Sequence, residues 1–221
     1  MSLYQIYGGY MGYFFVDIET YLSKDNPNSG LNPYEKESKI LAIAYNYYDE
    51  FHLSEKHVTP PTILKEWESS EKQILEKFFN FLKIKVELDQ HIKIIGFNHL
   101  KFDIPYIIGR LVVNKVSNNR EIHEIFFRRP HYIDLGQISQ ILSGNKFKEI
   151  FNVNQKTANS FFDIPLKKES GKKVSEYYKT KDFEKIREYV KSEFTFEKLY
   201  ISLRRHIYKK GTMIKDDEKT D

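Results

Sequence analysis

The sequence predicts an α/β fold, and two observations carry that prediction. Five short runs rich in apolar, aromatic and β-branched residues are bounded by turn signals, as strands are. Two longer segments, around residues 70–85 and 182–206, repeat apolar residues at the helical period. With 221 residues, 40% hydrophobic, and 17 Phe and 16 Tyr, the chain can fill the core of one domain. We expect that domain to span residues 1–208 and a polar, frayed tail to occupy 209–221.

Residues 1–13 carry Tyr and Gly without a clear period and read as a lead-in. The first strand is Phe14-Phe15-Val16-Asp17-Ile18-Glu19-Thr20, an apolar run that ends in two carboxylates. Residues two apart on a strand share a face, so Asp17 and Glu19 stand side by side. Like charges that close are costly unless a cation lies between them. A divalent ion held by hard oxygen ligands answers that cost. The plainer reading is a solvated strand end entering the turn-rich Lys24-Asp25-Asn26-Pro27-Asn28-Ser29-Gly30.

Residues 40–48 form the second strand candidate, and Asp49-Glu50 predicts a hairpin turn into Phe51-His52-Leu53. Pro60-Pro61 closes that section. Ser70 and Gln73 have capping-box spacing at the head of a helix over 70–85. Ile74, Leu75, Phe78, Phe79, Phe81 and Leu82 give it one apolar, core-packing face. Residues 92–98 read as a short buried strand. Asp103, two residues before Pro105, then looks like the start of a helix, near the cap. The same place, past the carboxyl end of a strand, is where α/β proteins put their sites.

Asn118-Asn119-Arg120 marks a loop, and His131-Tyr132-Ile133-Asp134-Leu135 reads as the fifth strand with a basic flank. Residues 137–142 and 147–151 suggest short helices. Residues 167–173 form a basic, solvated loop. The last long helix, 182–206, places Tyr189 and Glu193 four apart on one face. His99, His123 and His131 read as surface or loop residues rather than ligands. Asp134 reads as capping or solvating a strand end.

Composition narrows the chemistry. With no cysteine, disulfides and thiolate metal sites are excluded, so any metal is held by carboxylates, His or water. No apolar run is long enough to cross a bilayer, and no leader pattern precedes the first strand. We therefore expect no membrane and a cytoplasmic location. A net charge of +4 hints weakly at a polyanionic partner.

Three motifs in order resemble those of the DEDD superfamily of 3′–5′ exonucleases. Asp17-Ile18-Glu19-Thr20 is similar to the first, Gly96-Phe97-Asn98 through Phe102-Asp103 to the second, and Tyr189-Val190-Lys191-Ser192-Glu193 to the third. The likeness is greatest to the proofreading domain of family-B DNA polymerases and its stand-alone relatives, and it runs from about Phe14 to Leu203. Glu193 stands where the family's third motif usually has Asp. Glu188 stands where the histidine subclass has His, so the match is to the tyrosine subclass through Tyr189.

The resemblance implies a ribonuclease H-like fold, with a mixed five-stranded sheet flanked by helices. It implies two divalent ions, Mg²⁺ or Mn²⁺, with Asp17 bridging both and Glu19 and Glu193 on the ion that activates water. Asp103 serves the ion near the leaving oxygen, and Tyr189 orients the attacking water. For substrate, backbone amides over Ile18 to Thr20 could meet the terminal hydroxyl, and Asn98 could bond the terminal nucleotide or simply form a turn. Phe102 either stacks on a terminal base or packs in the core. The expected activity is removal of nucleoside monophosphates from 3′ ends of single-stranded DNA, with an unidentified replication or repair partner. RNA as substrate, or a non-catalytic module that only binds single strands, are the alternatives.

Overall fold

The central strand, β1 (Gly12–Thr20), is buried along most of its length because both of its faces are covered. The computed structural model describes residues 11–23, 30–89, 91–143, 154–165 and 171–217. β2 (Ile40–Asp49) pairs antiparallel with β1, and β3 (Thr62–Lys65) pairs antiparallel with β2. On the other side β4 (Lys93–Gly96) and β5 (His131–Asp134) add in parallel. The sheet is mixed, in the order β3-β2-β1-β4-β5.

Alternation along β1 assigns its side chains to two cores. Phe14, Val16 and Ile18 pack with α1 (Glu71–Leu88) and α2 (Asp103–Val113). Tyr13 and Phe15 pack with α7 (Phe183–Glu193) and α8 (Phe196–Asp217). The period of two therefore sends Asp17 and Glu19 to the α7 face. Ser70 caps α1 as its spacing predicts, accepting from the Gln73 amide at 3.3 Å. A bidentate pair, Arg110 to Glu71 at 2.8 and 2.6 Å, locks α2 to α1, and Glu71 also accepts from the Ile40 amide of β2.

Several expectations need correction. The return strand of the hairpin is not Phe51-His52-Leu53. Asp49 bonds the Phe51 and His52 amides and the His52 ring, which folds that stretch into a turn. The strand forms only after Pro60-Pro61. Asn118 is not mid-loop: it caps α3 (Asn119–His123) by accepting from the Glu121 amide, and a π-helical turn (Glu124–Arg128) follows. The predicted helix over 137–142 begins earlier, as α4 (Leu135–Ile138), and continues as a 3-10 turn. The short helix expected over 147–151, and most of the loops over 24–30 and 167–173, lie outside the described residues. α5 (Gln155–Phe161) and α6 (Lys172–Lys179) precede α7 among the described residues. The long terminal helix is broken at Phe194 and Thr195 into α7 and α8, and the α8 backbone runs on to Asp217, into the segment expected as a tail.

One buried acid in α8 makes stability depend on pH. Glu197 is 1% exposed and sits with Asn46 and Tyr48 of β2, and burial pushes its carboxyl up to about 7 from 4.5. Below pH 4.5 both folded and unfolded chains hold the proton and nothing is lost. Between 4.5 and 7 the unfolded chain ionises first, so stability falls as pH rises, to a constant deficit of about 3 kcal/mol above 7. Glu197→Gln is expected to match wild type in urea midpoint near pH 4.5 and to exceed it at pH 8. Equal midpoints at both pH values contradict this assignment.

Candidate active site

The carboxyl ends of β1, β4 and β5 lie on one edge of the sheet, and the acidic motifs gather there. Asp17 and Glu19 project from β1, and Glu193 comes from the last residue of α7. One carboxylate oxygen from each of the three lies within 4.8 Å of the other two. Glu19 is buried, and Asp17 and Glu193 are half-buried. Three like charges in partly desolvated space repel one another. The negative end of the α7 dipole adds to the same potential. A hard divalent cation fits this all-oxygen donor set; the Cys-free, His-free cluster suits Mg²⁺ or Mn²⁺ better than a softer ion.

Asp103 arrives from the other side of the sheet. It opens α2, but it is not that helix's cap: Phe102 occupies the cap position without a side-chain bond. Instead the Asp103 carboxylate accepts from the Ile18 amide at 3.0 Å, between the two acids of β1. Burial raises its pKa to about 7; the Ile18 amide opposes that rise, and the charges of Asp134 and Glu193 add to it. The Ile18 amide is thus committed to Asp103, so the expectation that it meets the substrate's hydroxyl is corrected. Thr20 lies at a register irregularity, and its hydroxyl donates to the Gly30 carbonyl.

Tyr189, one turn before Glu193 on α7, is buried and hydrogen-bonds Glu193. Burial and then the charges of Glu19, Glu193 and Asp17 push its pKa far above 10, so the hydroxyl keeps its proton. The Gly171 backbone lies against it, and a β-carbon there would come within 3.3 Å of the hydroxyl. Ser175 of α6 accepts from the Leu22 amide at 2.8 Å and ties that helix to the end of β1.

The loop between β4 and α2 carries the second motif and is built around two buried groups, Asp134 and His99. Asp134 is buried rather than solvated, but it is a cap as expected: its carboxylate accepts from the Gly136 amide (2.9 Å) at the head of α4, and also from the Asn98 amide (2.9 Å) and the Leu100 amide (3.2 Å). His99 is not a surface residue: it is fully buried, with a ring nitrogen 3.7 Å from Asp134. It fits under Gly96, where a β-carbon would collide with the His99 ring. Asn98 takes φ +58°, the left-handed region that Asn tolerates, so its turn-forming role is real. The residue is exposed, and its side-chain amide lies against Gly136. Phe102 is half-buried and its ring lies 5.4 Å from that of Tyr106, so it packs on the core with one side open.

The break after Glu193 is braced from α5. Gln155 donates to the Glu193 carbonyl at 2.8 Å, and Asn159 donates to the Thr195 hydroxyl at 2.8 Å. These residues had no sequence signal, because a lone Gln or Asn in a helix reads as surface. Asp134→Ala is expected to free the loop holding Asn98 and Asp103 and to raise KM for a 3′-ended strand at least tenfold. Asp134→Asn is expected to lose less. Identical KM values in both variants and wild type would remove Asp134 from the positioning role.

A mixed sheet with acidic side chains collected at the carboxyl end of its central strand is the ribonuclease H-like arrangement of DEDD 3′–5′ exonucleases. The particular family follows from the chain itself. Residues 35–218 match the family described as a predicted 3′–5′ exonuclease related to the exonuclease domain of PolB, and the chain belongs to that family. The matched span holds Asn98, Phe102, Asp103, Tyr189 and Glu193; Asp17 and Glu19 lie ahead of it.

In structure the chain is similar to the family B DNA polymerase of the hyperthermophilic archaeon Pyrobaculum calidifontis, with a TM-score of 0.56 and 18% identity. That match covers 84% of this chain and 24% of the polymerase, and it shows the fold. It is also similar, at a TM-score of 0.41 and 11% identity, to E. coli exonuclease I in a zinc-bound complex with single-stranded DNA, over 65% of this chain and 31% of that one. The chain thus spans about a quarter of the polymerase and under a third of exonuclease I. No match was found among curated proteins. Among the described residues no helix is long and apolar enough to cross a membrane.

Proposed function

We propose that the chain hydrolyses phosphodiester bonds from the 3′ end of single-stranded DNA and releases nucleoside monophosphates. The observation that supports this most is the convergence of Asp17, Glu19 and Glu193 within 4.8 Å. Glu193, far along the chain from the Asp17–Glu19 pair, has little structural reason to join it unless the three share a cation. In this reading Asp17, Glu19, Glu193 and Asp103 hold two divalent ions, Mg²⁺ or Mn²⁺. Such ions, when bound, supply a nucleophile at neutral pH and offset charge on the leaving oxygen.

The chain's own residues do the rest. The Asp103–Ile18 bond sets the α2 carboxylate against β1 before any substrate arrives. Tyr189 keeps its proton and, hydrogen-bonded to Glu193, orients the attacking water instead of deprotonating it. The open side of Phe102 offers a stacking surface that tolerates any base. Asn98 and the Thr20 end of β1 line the place for the terminal nucleotide. We assign this activity to one domain over residues 1–208.

The test is 5′-labelled single-stranded DNA and RNA of one sequence, incubated side by side with Mg²⁺, Mn²⁺ or EDTA. DNA is expected to shorten from its 3′ end with either metal and to stay intact in EDTA. Intact DNA with both metals contradicts the proposal, and faster loss of RNA transfers it to RNA.

A further inference from the structure

A second cavity, of about 630 Å³, lies on the α8 side of the sheet near the start of β1, away from the acidic cluster. Its walls are apolar: Tyr13 of β1, Leu135 and Ile138 of α4, and Tyr200 and Leu203 of α8. Its rim carries Phe51 (71% exposed), Ile207 (49%) and Tyr208 (66%). Large apolar side chains left outward around one hollow mark a contact surface more than scattered exposure does. Two cations face into it, Lys93 from β4 and Arg204 from α8.

Lys93 lies 5.3 Å from the centre of the Tyr13 ring, and Arg204 lies 5.9 Å from that of Tyr208. Among the described residues neither cation is ion-paired to a carboxylate, and Glu50 is the one acid on the cavity wall. The pair repel each other: burial and then Arg204 hold the Lys93 pKa below its ordinary value. Two cations kept together in an apolar hollow favour a ligand that brings anionic charge and apolar surface at once.

We infer that this cavity is a docking site for a partner protein's peptide segment that combines acidic residues with an aromatic or large aliphatic side chain. The acidic groups meet Lys93 and Arg204, while the apolar side chain packs against the outward Phe51, Ile207 and Tyr208. The site is separate from the nuclease centre and leaves it open to a strand.

The test is selection of random dodecapeptides displayed on phage against the wild-type chain, followed by affinities of the enriched peptides measured by fluorescence anisotropy. Enriched sequences are expected to pair Asp or Glu with Phe, Trp, Leu or Ile. Their Kd is expected to rise at least tenfold in Lys93→Met/Arg204→Met, which keeps the apolar wall and removes both charges. Thermal melting and 3′-end hydrolysis of a short oligonucleotide are expected to be unchanged in that variant, which separates this inference from the nuclease reading. No enrichment, enrichment of peptides lacking acids, or equal affinity in the double variant overturns the proposal. So does enrichment of Tyr- and Gly-rich sequences like residues 1–10, or a dimer in sedimentation that Ile207→Glu dissolves, since these give the cavity to the chain itself.

Discussion

Asp17→Ala is expected to reduce 3′-end hydrolysis by about a thousandfold or more while leaving the chain folded. The residue is half-buried beside two other carboxylates and contributes nothing apolar to either core. Removing it lowers the repulsion among Glu19 and Glu193, so the melting temperature without metal is expected to hold or rise slightly. Metal stabilisation reports the same event independently of turnover. In wild type, Mn²⁺ is expected to raise the melting temperature, and in Asp17→Ala that increase is expected to shrink. An Asp17→Ala protein that digests a labelled oligonucleotide at the wild-type rate ends the site assignment.

The second large effect is at Glu193, where two variants separate charge from reach. Glu193→Gln keeps the length and the carbonyl but removes the charge, and a loss of about a hundredfold or more in rate is expected. Glu193→Asp keeps the charge one methylene further back. Because Mg²⁺ demands stricter geometry than larger ions, the ratio of Mg²⁺ to Mn²⁺ rates is expected to change in Glu193→Asp, with activity retained. Glu193 sits in a fixed place: its carbonyl is held by Gln155, and the helix ends directly after it. Equal rates for Gln and wild type would leave Glu193 out of the machinery.

Much of this was legible in the sequence because it rests on short-range rules. Alternation along Phe14–Thr20 puts Asp17 and Glu19 on one face, and a spacing of four puts Tyr189 and Glu193 on one side of a helix. What was illegible came from long-range closure. Asp103 looked like a helix cap because Asp before Pro is one, yet its carboxylate bonds the Ile18 amide across the sheet. His99 looked exposed because loops are, but a residue beside Gly96 can be drawn under the backbone. The hairpin return was placed too early because Phe51-His52-Leu53 has strand composition, and Asp49 instead ties that stretch into a turn. The break at Phe194 and Thr195 left no mark in the apolar stripe, which runs through it unbroken.

The acidic trio draws on β1 and on α7, which are separated in sequence by the other four strands and most of the helices. A ribosome making this protein therefore releases Asp17 and Glu19 long before Glu193 is translated. Until α7 has emerged and docked, the nascent chain lacks the third carboxylate of the trio.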